Sequence, residues 1–277
     1  MNSNPLQQYF RQPKIYIKMP SNGIFNKLGS VQGDVSNMPV YGMTGMDEII
    51  LKTPDALLSG ESTVRVIESC CPVIKDAWET RLIDVPAILA AIRIATYGNE
   101  LPVTSTCPHC GTENEYDMDV SKIIEFYNTR KFDSALQVGG LVVKLQPLTY
   151  KQSTAYNLRN FKLQQTLNQA ELMPDGPEKQ KVFNEIFEEL GTIQNDIYLD
   201  SIDSVETADK VVTEKQFISE WIKNCDSDIF DAIKKRIDQT RQYWAMPPTH
   251  AVCSNPECGK EVNVTLELDQ SNFFVRA

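Results

Sequence analysis

Four cysteines carry the clearest chemistry in this chain. Two frame a tight knuckle, Cys107-Pro108-His109-Cys110, and two frame a wider one, Cys253-Ser254-Asn255-Pro256-Glu257-Cys258. A glycine follows the second cysteine in each, Gly111 and Gly259. Two close cysteine pairs supply the four thiolates that zinc takes at a closed tetrahedral site. The glycine lets the backbone reverse after the second ligand, so that amides face the sulfurs. Cys107, Cys110, Cys253 and Cys258 are therefore the predicted ligands of one Zn2+ ion. With thiolate in all four positions, none is left for a catalytic water, and the predicted site is structural.

Two other uses of these thiols fit the pattern less well. Buried cysteines often act as small apolar fillers, but fillers need neither close pairing nor a following glycine. Cys-Pro-His-Cys also has the spacing of thioredoxin-like redox motifs, which place the first cysteine at a helix N-terminus to lower its pKa. Here the run after the motif, Gly111 to Val120, alternates like a strand, and no βαβ frame surrounds it. His109, inside the first knuckle, and His250, three before Cys253, read as outward-facing residues.

The knuckles stand far apart in sequence, Cys110 and Cys253 being 143 positions apart. A shared metal would staple two distant chain regions, a loop whose closure is worth several kcal/mol in the cross-link model. The surroundings repeat as well. A proline precedes each first cysteine by five positions, Pro102 and Pro248. After the glycine, Glu113, Tyr116, Met118, Val120 and Phe126 match Glu261, Val264, Leu266, Leu268 and Phe274 in offset. The expected fold is α+β and helix-rich, with two pseudo-repeated halves joined at a split four-cysteine zinc ribbon and an inserted helical hairpin. Residues 1–14 are expected to form an extended N-terminal arm, 15–130 the first half, and 131–277 the second, together one folded domain.

Along the chain, Ile15 to Met19 reads as a short strand, and Gly29 to Asn37 as a loop. Thr44 with Asp47 forms a capping-box pattern for a helix through Leu51. Thr53-Pro54-Asp55 opens another helix, and Ser62 to Cys71 continues as helix up to Pro72. Asp84-Val85-Pro86 starts a helix with Ile88, Leu89, Ile92 and Ala95 on one stripe, closed by Gly98. Gly139-Gly140 is a hairpin turn before the strand Leu141 to Leu145. Two long segments, Tyr150 to Leu172 and Glu178 to Leu199, read as an antiparallel helical hairpin, the second with Val182, Ile186, Leu190, Ile193 and Ile197 at helical spacing. Asp200 to Asp209 reads as loose. Thr213 with Gln216 has a capping-box pattern for a helix carrying Phe217, Trp221 and Ile222, and Asp226-Ser227-Asp228 opens the last helix, through Trp244.

Composition narrows the function classes. A hydrophobic fraction of 42% and a charged fraction of 23% are those of an ordinary globular protein. A net charge of −10 and a pI near 4.8 argue against nucleic acid as the main partner. Acidic residues also crowd the knuckles (Glu113, Glu115, Asp117, Asp119, Glu261, Glu267, Asp269) and would repel phosphate. Seven cysteines, an odd number, and no signal-peptide pattern point to a reducing cytoplasm. Cys70, Cys71 and Cys225 are then the core fillers. No run is long and apolar enough to cross a bilayer. Nothing marks an enzyme: there is no glycine-rich phosphate loop and no Ser/His/Asp grouping, and only two histidines are present.

Several phrases together resemble the T4-type baseplate hub proteins of contractile-tailed bacteriophages. They are Met46-Asp47-Glu48, Thr53-Pro54-Asp55-Ala56-Leu57-Leu58-Ser59-Gly60, Val66-Ile67-Glu68-Ser69-Cys70, Ile92-Arg93-Ile94-Ala95-Thr96-Tyr97-Gly98 and the first knuckle. The resemblance is tight over about residues 39–126 and looser beyond. It implies a structural or assembly role in the tail baseplate, with no catalytic residues to carry over. The expected partners are other baseplate or tail proteins, with no membrane, direct nucleic-acid contact or small-molecule substrate. The expected location is the virion tail baseplate, assembled in the host cytoplasm. The alternatives are a tail assembly chaperone absent from the finished virion and a zinc-ribbon module binding nucleic acid or a polymerase. The N-terminal arm and the Gly29–Asn37 loop are the expected contact surfaces, and the acidic helical hairpin is the next choice.

Overall fold

A computed structural model describes residues 4–53, 59–264 and 273–274. Eight α-helices and small antiparallel sheets make up the described residues, an α+β fold. The chain divides into two compact units, Met1–Arg130 with Ala245–Ala277, and Lys131–Trp244. The stretch 131–277 is therefore shared between them, and its second knuckle belongs with the N-terminal unit.

The first unit is built round one helix. Helices α1 (Gly45–Leu51), α2 (Glu61–Cys70), α3 (Val85–Tyr97) and α4 (Ser121–Asn128) join a two-stranded antiparallel sheet of β1 (Pro13–Ile17) and β2 (Met38–Tyr41). Pro86 sits in the first turn of α3, where its missing N–H leaves no bond unmade. Gly98 ends the helix at φ +94°, its amide donating to Ile94 O. The expected stripe is buried, but so are Ala87, Ala90 and Ala91, so α3 is covered on most sides by β1, β2, α2 and α4. The alanines permit this enclosure. A Cβ at Gly42 would lie 2.8 Å from Ala95 O, so the chain after β2 crosses α3 only with glycine there. Arg93 is 1% exposed and donates to Glu100 O, a burial that no apolar stripe announces.

Thr44 caps α1 as expected, with the reciprocal Asp47 bond in place. The helix expected to open at Thr53-Pro54-Asp55 lies outside the described residues from Pro54 onward. Two surface segments are held more firmly than their composition suggests. Residues Pro5–Tyr9 form a 3₁₀ turn instead of an extended arm. Arg11 then reaches into the unit, donating to Gly42 O (2.7 Å), Ser69 O (2.7 Å) and Ser69 Oγ (2.9 Å), with Asp47 Oδ2 at 3.4 Å. The Ser69 bonds satisfy a carbonyl in the last turn of α2, which lacks a partner within its own helix. The Gly29–Asn37 loop, expected to order on a partner, is ordered by its own chain. Val31 bridges Ile74, Gln32 N donates to Val73 O, Lys75 N to Ser30 O, and Met19 N to Val35 O.

The second unit is a four-stranded antiparallel sheet with four helices. Strands β5 (Ala135–Val138) and β6 (Leu141–Leu145) are joined by Gly139-Gly140, both with positive φ (+57° and +76°), the turn that matches strand twist. The long helices α5 (Tyr150–Glu171) and α6 (Pro177–Asp200) form the expected hairpin. Tyr156, Ile193 and Ile197 pack between them, while Leu190 of the expected stripe stays exposed. Arg159 binds Glu189 and Asp196 on the partner helix, and Tyr156 Oη donates to Asp200 at 2.7 Å. The Asp200–Asp209 stretch is not loose. Ile202–Glu206 is β7, paired with β6 on one side and with β8 (Val211–Val212) on the other. Helix α7 (Lys215–Asn224) starts after Glu214 with no side-chain cap, so the Thr213 and Gln216 capping box does not form. Helix α8 (Ser227–Trp244) completes the unit. Val143, Leu145, Tyr198, Ile202, Val205, Ile218, Ile233 and Ile237 form its core.

Candidate metal centre

Each knuckle is the turn of a β-hairpin in the first unit. Strands β3 (Glu100–Thr106) and β4 (Glu113–Asp119) pair antiparallel over their full length, Glu100 opposite Asp119 and Thr106 opposite Glu113. Strands β9 (Thr249–Val252) and β10 (Glu261–Val264) pair from Thr249 with Val264 to Val252 with Glu261. The backbone closes both turns alike. Cys107 N donates to Thr112 O at 2.8 Å and Cys253 N to Lys260 O at 2.9 Å. Gly111 at φ +74° and Gly259 at φ +53° are left-handed, a conformation that a side chain would strain.

The four expected sulfurs converge. Cys107 Sγ lies 3.9 Å from Cys258 Sγ, and Cys110 Sγ 3.6 Å from Cys253 Sγ, with all four within 4.8 Å of one another. Zinc–sulfur bonds of about 2.3 Å at tetrahedral angles require sulfurs about 3.8 Å apart. A disulfide would bring two of them to about 2 Å. All four are free thiols, two close pairs and one cluster, and the donor set fits a tetrahedral metal ion. Cys107 and Cys253 are buried, Cys258 is half-buried and Cys110 exposed, so the cluster opens to solvent on one side. His109 and His250 are exposed and lie outside this group.

Electrostatics single out Cys110. The Thr112 hydroxyl, 3.3 Å from its sulfur, and the Thr112 amide pull its thiol down to about 6. For Cys258 the Lys260 amide acts in the same direction, but burial and the three neighbouring sulfurs outweigh it and push the thiol up to about 11. A thiolate forms readily at Cys110, whereas the Cys253 and Cys258 thiols are pushed up beside it, where a second negative charge meets repulsion. A bound dication offsets that repulsion, since thiolates are its ligands. The remaining cysteines differ. Burial pushes Cys70 up to about 12 and Cys71 well above its ordinary value, as for inert core thiols.

The sequence did not reveal how the hairpins hold each other. Asn114, the second residue of β4, is 2% exposed. Its Oδ1 accepts from Ser254 N and Ser254 Oγ, both at 2.7 Å, and its Nδ2 donates to Thr112 O at 2.9 Å. Asn255 Nδ2 donates in turn to Thr112 Oγ1 at 3.2 Å. Only the polar residue at an inward position of β4, between outward Glu113 and Glu115, hinted at this. The outward side of β4 carries Glu113, Glu115, Asp117 and Asp119, all exposed, while Met118 faces inward. Of the residues matched by offset, Val264 is buried, and Leu266 and Leu268 lie outside the described residues.

This site can hold structure together, and it offers metal donors that are all sulfur. The T4 bacteriophage base plate protein family matches residues 45–275, a span that takes in all of the second unit, most of the first and all four cysteines, and the chain belongs to that family. Membership implies contacts with other tail or baseplate proteins. No curated protein and no solved structure matches the chain. No helix among the described residues is long and apolar enough to cross a membrane.

Proposed function

We propose that this chain is a hub subunit of the contractile-tail baseplate, a structural or assembly component acting through protein contacts, with one structural zinc ion held by Cys107, Cys110, Cys253 and Cys258. The observation that carries the proposal is the family match across residues 45–275, which contains the whole thiol cluster. The two hairpins are then halves of one split zinc ribbon, and the matching offsets around them are a pseudo-repeat. The protein works in the virion tail, after assembly in the host cytoplasm. It has no catalytic step, small-molecule substrate, membrane contact or direct nucleic-acid contact. Exposed carboxylates along β4 disfavour a phosphate backbone.

The contact surface we favour is the segment before Arg11. Leu6, Tyr9 and Phe10 are exposed there at 62%, 77% and 56%, and Arg11 fixes the segment's base. Aromatic side chains presented from an anchored segment are suited to insertion into an apolar partner groove. The test is a deletion of residues 1–10, which spares Arg11. Complementing a phage that lacks the protein with this variant is expected to yield tails without complete baseplates, while the melting curve stays near wild type. Infectious tails at wild-type yield would remove the segment from the interface. Absence of the full-length chain from purified baseplates would refute the hub-subunit assignment.

A further inference from the structure

We infer that Asn114 is a metal-independent latch that joins the two knuckles, so that zinc enters a site already assembled by the fold. Its affinity arm rests on the zinc reading above; its structural arm does not. Asn114 lies 140 positions from Ser254, yet Oδ1 accepts both the Ser254 amide and the Ser254 hydroxyl at 2.7 Å. The third bond, Nδ2 to Thr112 O, fixes the orientation of the amide, so both polar ends of the side chain are used. Burial raises the stakes. An asparagine that is 2% exposed leaves costly unpaired groups if the knuckles separate.

The bonds end beside the donor atoms. Ser254 follows Cys253 directly, and Thr112 is two residues beyond Cys110 with its hydroxyl 3.3 Å from that sulfur. Asn255 Nδ2 donates to the same Thr112 hydroxyl oxygen at 3.2 Å, so the second knuckle reaches this position as well. Asn114 thus acts as a positioning residue, setting the distance between two pairs of ligands without touching a metal. Zinc sites assembled by their metal alone are unfolded without it.

Hydrogen exchange on the metal-stripped full-length protein tests the structural arm directly. The Ser254 amide is expected to be protected in the wild type and to exchange at the open-chain rate in Asn114→Ala, while β6 and β7 amides stay protected in both. Zinc affinity, measured by chelator competition, is expected to fall by about 10- to 100-fold in Asn114→Ala, as for other outer partners of metal ligands. The four-thiolate absorption of the cobalt-substituted variant is expected to be unchanged, because no ligand is lost. If Asn114→Ala does not fold, Ser254→Ala, which deletes one of the two bonds to Oδ1, serves in its place with a few-fold loss expected. An unprotected Ser254 amide in the metal-free wild type would overturn the latch. So would an Asn114→Ala variant with wild-type zinc affinity. A wild type that binds no zinc would refute the zinc reading alone, since the exchange measurement still decides the latch.

Discussion

The two units solve the same problem, holding short β-hairpins in place, by different physics. In Lys131–Trp244 the β5–β6 hairpin is one edge of a four-stranded sheet resting on an aliphatic core that includes Val143, Leu145, Ile202, Ile233 and Ile237. In the first unit the knuckle hairpins are separate two-stranded sheets, and the buried cluster between them is Cys107, Cys253 and Val262. Two-stranded hairpins are marginal in water without further support. On the proposed zinc reading, sulfur–metal bonds together with the inferred Asn114 latch take the place that apolar burial has elsewhere. One unit should therefore respond to chelators and the other to core truncation.

The largest effect is expected from the metal. Stripping zinc, or replacing Cys258 with serine, removes a cross-link worth ~5 kcal/mol for a loop of this length. Exchange protection should weaken in β9 and β10, with the Ser254 amide still held by Asn114, and stay unchanged in β6 and β7. Equal loss in both regions would erase the contrast. Ile202→Ala comes next: the side chain is fully buried in β7, and truncation is expected to cost about 2–5 kcal/mol. Denaturant unfolding should then lose the second unit first, with metal content unchanged.

A pH effect belongs to the first unit. Burial pushes the Asp84 carboxyl up to about 7, only partly offset by its Ser21 bonds and by Arg81. The folded protein keeps that proton to about pH 7, whereas an unfolded aspartate loses it near pH 4. Between those values the folded state binds more protons, so stability falls as pH rises and levels off above 7. Asp84→Asn, which retains an acceptor for Ser21 N, is expected to gain roughly 2 kcal/mol over wild type at pH 8 and little at pH 4. A pH-independent difference would contradict this. No buried carboxylate occurs among the described residues of the second unit, whose stability should be flatter. The smallest effect is expected from Arg159→Ala on the helical hairpin. Its ion pairs are partly exposed to solvent, so the loss should be about 1 kcal/mol or less, shrinking with salt.

The sequence was most readable where one residue type dictates one geometry. Glycine after each second cysteine, Gly139-Gly140, the Thr44–Asp47 capping box and the Pro86–Gly98 limits of α3 all appear at their expected places. Convergence of the four thiols was legible for the same reason. The remaining features depend on distant partners. Strand β7 reads as loose because Asp203 and Glu206 dilute its apolar pattern, and it is specified by pairing with β6 from across the long hairpin. The loop at 29–37 looks unable to bury itself, yet its backbone finds bonds on residues 73–75. Arg11 and Asn114 are single polar residues whose partners lie 58 and 140 positions away. No local pattern signals such bonds.

The most direct measurement of the central claim is native mass spectrometry of the full-length protein purified without added metal. One zinc ion bound to each monomeric chain is expected, lost alike in Cys110→Ser and Cys258→Ser, one substitution from each knuckle. A monomer that carries no metal, or zinc retained when either knuckle is disabled, would contradict it.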